Sequence, residues 1–198
     1  MRRVAGLLGI GGAALFFAGL LTEYRYGLFP PGDGSPAYVL NQVQFPGAMI
    51  GIGAMLWEVR TDRAGGDSRL ARLCLTLFPL GWFALIAGGV VSLITGNADN
   101  LFYPLGGLAF MLFGLLSATF VAVAGKWRSW TRFALLLQGV YYVLVMMLLP
   151  LLLTGSIEPT LLTGSLWMAT WFVLGLALAQ QKQQRPVPGA PAHDAPGT

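Results

Sequence analysis

An all-α, polytopic integral membrane protein is the fold class this sequence predicts: six transmembrane helices set as three outward-pointing hairpins, with N- and C-termini both inside. Three observations predict it. Only 20 of the 198 residues are charged. The charges leave six long stretches free, 4–22, 34–57, 73–98, 100–125, 133–157 and 159–181, which are 19, 24, 26, 26, 25 and 23 residues long. A helix needs about 20 apolar residues to cross a hydrocarbon core of about 30 Å. The third observation is the placement of the basic residues. With the N-terminus inside, the inner segments hold Arg2, Arg3, Arg60, Arg63, Arg69, Arg72, Lys126, Arg128, Arg132, Lys182 and Arg185, and the outer segments hold only Arg25. Eleven against one is the asymmetry that sets orientation, since Lys and Arg concentrate in cytoplasmic loops.

The elements follow in order. The first span is about 4–22. Met1-Arg2-Arg3 before an apolar run also opens a secretory signal peptide. No clear small-x-small cleavage site precedes Glu23, however, so an uncleaved helix is expected. The outer loop 23–37 contains Pro30-Pro31-Gly32-Asp33-Gly34-Ser35-Pro36, which cannot continue a helix. The second span is about 38–57, followed by an inner loop 58–72 with four Arg and three acids. Spans of about 73–95 and 103–125 flank the short outer turn 96–100. Lys126 to Arg132 makes a short inner connection. Spans of about 133–154 and 161–180 enclose an outer turn, 155–160. Together these form one domain, 1–181. The tail 182–198 is polar and then rich in Pro, Ala and Gly, which predicts a disordered cytoplasmic segment. Sliding the chain by 60 residues aligns the hairpins without similarity above chance, so no duplication is inferred.

Composition excludes several classes. The hydrophobic fraction is 56% and the mean hydropathy +0.68, which leaves no soluble domain. The net charge of +4 comes from the inner loops, so nucleic acid is not an expected partner. One cysteine, Cys74, excludes an internal disulfide or CxxC pair, and the one histidine, His193, lies in the tail. No metal and no cofactor are expected. No span interior contains Asp, Glu, Lys, Arg or His, which disfavours carboxylate-relay transport and intramembrane acid/base catalysis. The outer segments carry Glu23, Asp33, Asp99 and Glu158, the acids a membrane enzyme would have to use.

Packing signals are readable. Helices in lipid associate by close backbone approach at small residues. Gly47 and Gly51 form a GxxxG in the second span. Ala5, Gly9 and Ala13 form a small-residue stripe in the first, and Gly114, Ala118 and Ala122 one in the fourth. Pro46 and Pro79 lie inside the second and third spans, where kinks are expected. Trp127 and Trp130, with Arg128 and Arg132, are expected to anchor in lipid headgroups.

The polar residues within the spans are few. Gln44, Trp82, Tyr141, Tyr142 and Trp171 fall at similar depth on four different helices. They read either as a cavity for a small amphipathic molecule or as a hydrogen-bonded core. Two functional readings result. One is a non-catalytic protein that binds or passes a small, uncharged or lipid-like molecule. The other is an accessory subunit that packs through its small-residue faces on a partner or on a second copy. In both, the lipid bilayer is the surrounding partner. Ten Arg against two Lys, 27 Gly and the lack of an N-x-S/T sequon suit a bacterial inner membrane.

Overall fold

The computed structural model describes residues 1–26, 36–96, 99–127, 129–155 and 161–181, with the backbone alone for 22–26, 36–45, 93 and 154. Among these residues every element is helical. In chain order they are α1 (Arg2–Tyr26), α2 (Pro36–Thr61), α3 (Arg69–Thr95), α4 (Phe102–Ala124), a 3-10 turn (Ser129–Phe133), α5 (Ala134–Tyr141), a π-helical segment (Tyr142–Leu148), α6 (Leu149–Thr154) and α7 (Leu161–Gln180). Among the described residues, five stretches are long and apolar enough to cross a membrane: Arg2–Leu21, Arg69–Ser92, Phe102–Ala124, Ser129–Leu153 and Leu161–Gln180. The exposed faces are apolar too. Leu105, Leu108, Leu112 and Leu116 stand out from α4, and Leu162, Leu166, Phe172 and Leu176 from α7. Continuous apolar surface of this extent suits lipid.

The sequence dictates where the helices stop. Ser68 caps α3, its hydroxyl accepting from the Ala71 N–H at 3.1 Å. Gly96 (φ +66°) and Gly125 (φ +63°) end α3 and α4 in the left-handed conformation that costs glycine least. Residues 133–154, expected as one regular span, run as three segments. Pro150 has no N–H to donate, and its ring excludes the carbonyl four residues back. The turns before it widen, and Leu149 N–H donates to the Leu144 carbonyl, five residues back. α2 and α3 each continue as one helix through Pro46 and Pro79.

Six rods result, and they close into a ring. α1 packs on α2, α2 on α3, α3 on α4, α4 on α5, and α5 with the π segment on α7. α7 then returns to α1. Single glycines set three of these contacts. A Cβ on Gly6 would lie 2.7 Å from the Gly175 carbonyl oxygen, and one on Gly175 would lie 2.9 Å from that of Gly6. Gly81 and Gly106 meet in the same way between α3 and α4, at 3.1 and 2.9 Å. Gly12 and Gly51 oppose each other between α1 and α2. Each position has room for hydrogen only, so the backbones touch.

The stripes read from the sequence are divided by this arrangement. Ala5 and Ala13 are buried, and Gly9 faces the Met55 side chain. Gly51 packs on Gly12, whereas Gly47 faces open space among the described residues. Gly114 makes room for the Phe78 ring, and Ala118 is fully buried beside Gly139.

Ring closure yields a prediction. Gly175→Ala and Gly6→Ala each force a backbone shift and should lower unfolding free energy by about 1–3 kcal/mol, the usual range for overpacking. Gly11→Ala, at a position with open space, should be neutral or slightly stabilising. Denaturant titration of the detergent-solubilised protein by circular dichroism measures both; equal effects at Gly11 and Gly175 would contradict the crossing.

Candidate functional site

The ring encloses an aromatic core. Trp82 comes from α3, Phe110 from α4, Tyr142 from the π segment, and Trp167 and Trp171 from α7. Phe110 is central. Its ring centroid lies 5.1 Å from Trp82, 5.1 Å from Phe78, 6.0 Å from Trp171, and 5.0 Å from Tyr142 in an edge-on contact. Trp82 and Trp171 meet at 5.2 Å, and Tyr142 and Trp167 at 5.2 Å. Trp82 and Trp171 are both fully buried. Of the residues grouped by depth, the structure thus brings Trp82, Trp171 and Tyr142 into one cluster. Tyr141 points elsewhere, and its hydroxyl donates to the Thr163 carbonyl at 3.2 Å. The side chain of Gln44 lies outside the described residues.

The hydrogen-bonding of this core is incomplete. Trp82 Nε1 donates to the Met49 carbonyl of α2 at 2.7 Å. Gly53 allows that approach, because a Cβ there would sit 3.2 Å from Trp82 Cδ1 and 2.7 Å from Phe83 Cε1. The other two indoles differ. Among the described residues, Trp167 Nε1 and Trp171 Nε1 are buried without an acceptor, as are Gln138 Nε2 and Ser117 Oγ. Leaving such a group unpaired costs roughly 1–3 kcal/mol.

The register across the bundle sets their depths. Gln181 Nε2 donates to Thr131 Oγ1 at 2.6 Å, tying the end of α7 to the start of the fifth rod. Gln138 lies seven residues along from Thr131, and Trp171 ten residues back from Gln181. At 1.5 Å per residue these are rises of about 11 and 15 Å, within one helical turn of each other. All four atoms are, or can be, donors, and none ionises in the ordinary range. Each of these atoms suits a carbonyl, ether or ester oxygen, and none supplies a general acid or base.

Trp167, Phe110 and Phe78 were not singled out from the sequence. Trp167 and Trp171 are four residues apart, as are Phe78 and Trp82, so each pair shares a helix face. Reading that spacing would have found three of the five core aromatics.

At the basic end of the ring, polar contacts tie the start of α1 and the connections after α2 and α4 together. Asp62 is the hub. Its carboxylate pairs with Arg2 of α1 and accepts from Trp127 Nε1 at 3.0 Å. Trp127 was expected at the lipid headgroups. It is instead only 2% exposed, because Asp62 draws its indole N–H inward. Trp130 is exposed, Arg132 lies over the Phe133 ring at 4.5 Å, and Arg128 lies outside the described residues. Asp33 and Glu158 also lie outside them, as does the side chain of Glu23.

Asp67 accepts from Lys126 Nζ at 3.0 Å, with Arg63 3.7 Å away. The Lys126 hydrogen bond and charge, then Arg63, hold its carboxyl below the ordinary value of 3.8. A depressed folded value means the tie acts throughout the range above 3.8 and is lost only as pH falls through the lower, folded value. A carbon-detected NMR titration of Asp67 should therefore find its midpoint below 3.8, moving upward in Lys126→Ala; an unmoved midpoint would rule out the tie. Comparison with protein-family models, curated proteins and solved structures finds no match to this chain.

Proposed function

We propose that this is a six-span protein of a bacterial inner membrane, with both termini in the cytoplasm, which binds or passes a small uncharged or lipid-like molecule without altering it. One observation carries the reading: four buried donor-capable atoms, on α4, α5 and α7, have no acceptor among the described residues. A molecule bearing carbonyl or ether oxygens and an apolar body would satisfy them. The lack of ionisable side chains in the span interiors argues for a neutral ligand. The six-span topology is supported by the five apolar stretches, by the 26-residue helix α2 between two of them, and by the eleven-to-one basic asymmetry.

A second reading, an accessory subunit, is favoured by one feature. Gly11 and Gly47 are exposed and face open space among the described residues, where a partner helix could approach closely. Co-purification of one stoichiometric partner would select that reading.

The direct test is an extraction mass spectrum of the protein purified in native-membrane nanodiscs. One species enriched over bulk lipid is expected. Replacing Trp167 and Trp171 together by Phe removes both donors and should reduce that enrichment at least tenfold, with the helical signal retained. A wild-type spectrum identical to the surrounding membrane would end the binding reading.

A further inference from the structure

A second feature lies outside the aromatic core, at the basic end. A groove of about 740 Å³ runs between α1, α2 and α3. Small residues, Ala5 and Ala54, leave room between the taller Leu8, Ile50 and Phe83. From Ile50 to Glu58 the groove follows α2 for eight residues, a rise of about 12 Å, which suits a stretch of acyl chain. It is apolar along its length until it reaches Trp57, Glu58 and Met1, whose α-ammonium makes no ion pair with Glu58.

Glu58 stands apart from the other acids of that end. Asp62 is satisfied by Arg2 and Trp127, and Asp67 by Lys126 and Arg63. Among the described residues the Glu58 carboxylate has neither an ion pair nor a hydrogen bond. The nearest cation in sequence does not serve it. Arg60 donates through Nε to Thr76 Oγ1 at 3.3 Å, and its guanidinium lies 5.0 Å from the centre of the Trp57 ring. A half-buried carboxylate at the end of an apolar groove calls for a cation carried on an apolar body. A primary ammonium supplies both charge and N–H donors, and charge-assisted hydrogen bonds of this kind are the strong ones. The phosphate beside such an ammonium would lie at a surface rich in arginine, as anionic groups prefer.

We propose that this groove is a binding site for phosphatidylethanolamine, its ammonium on Glu58 and an acyl chain along Ala5 and Ala54. The site is independent of the aromatic core, and variants of Trp167 and Trp171 leave it unchanged. Native mass spectrometry of the full chain, presented with equimolar phosphatidylethanolamine, phosphatidylcholine and phosphatidylglycerol, tests it. The wild type should retain phosphatidylethanolamine over each of the others by on the order of tenfold, the factor expected of one charge-assisted hydrogen bond. Glu58→Gln should bring that ratio close to one, while Glu58→Asp keeps part of it. Ala54→Leu should cut retention of all three lipids. Equal retention by the wild type, a preference for either competitor, or an undiminished preference in Glu58→Gln would overturn the proposal.

Discussion

Backbone-to-backbone contact at single glycines is the constraint on which the rest of this fold depends. Lipid tails are as apolar as leucine, so helices gain little from hiding leucine from them. They must gain from dispersion and close approach instead. Gly6 against Gly175, Gly12 against Gly51 and Gly81 against Gly106 supply that approach at three crossings. The first of these joins the first helix to the last and turns a row of six rods into a closed ring. The closed ring encloses one continuous buried core. The interior holds Trp82, Phe110, Tyr142, Trp167 and Trp171 beside the buried Leu56, Leu75, Leu135, Leu174 and Leu178.

The polar residues follow from the same geometry. Trp82 reaches a backbone carbonyl only because Gly53 lets α3 approach α2. Trp167 and Trp171 sit on α7, where each helical carbonyl already has its own donor four residues on. The widened turns ahead of Pro150 bring Tyr142 onto the core and leave Tyr141, its neighbour, on the α7 backbone. At the basic end Asp62 performs a comparable service for the loops. It holds the start of α1, the turn after α2 and the segment after α4 with one carboxylate.

How much of this could be read from the sequence depends on which physics is local. The long apolar helices were legible because charge is excluded from hydrocarbon, and the gaps between charges mark them. The observed helices α3, α4 and α7 begin or end within a few residues of those gaps. Depth was legible as well, since a helix rises uniformly, and it grouped Trp82, Trp171 and Tyr142. The glycine crossings were not legible. A GxxxG pattern describes one helix, whereas Gly6 and Gly175 are lone glycines 169 positions apart in sequence. Nothing in either helix names the other. Trp127 was misplaced for the same reason: its acceptor, Asp62, is 65 residues away. The π segment was in principle legible from Pro150, whose missing N–H disturbs its own helix.

Charge and polarity are therefore sorted by position in a way that bears on function. Ionic groups gather at the basic end, where Asp62 and Asp67 are matched to cations and Glu58 is not. Neutral donors gather inside, where Trp82 is matched and Trp167 and Trp171 are not. Replacing either unmatched indole with phenylalanine would remove the unpaired donor but leave a cavity in the core. Replacing Glu58 with an uncharged residue would likewise remove the unmatched carboxylate beside Trp57. Among the described residues the ring thus keeps unmatched polar atoms of both kinds, the indoles inside its packed core and the carboxylate at its basic end. An indole N–H recognises a neutral oxygen, and a lone carboxylate recognises an ammonium.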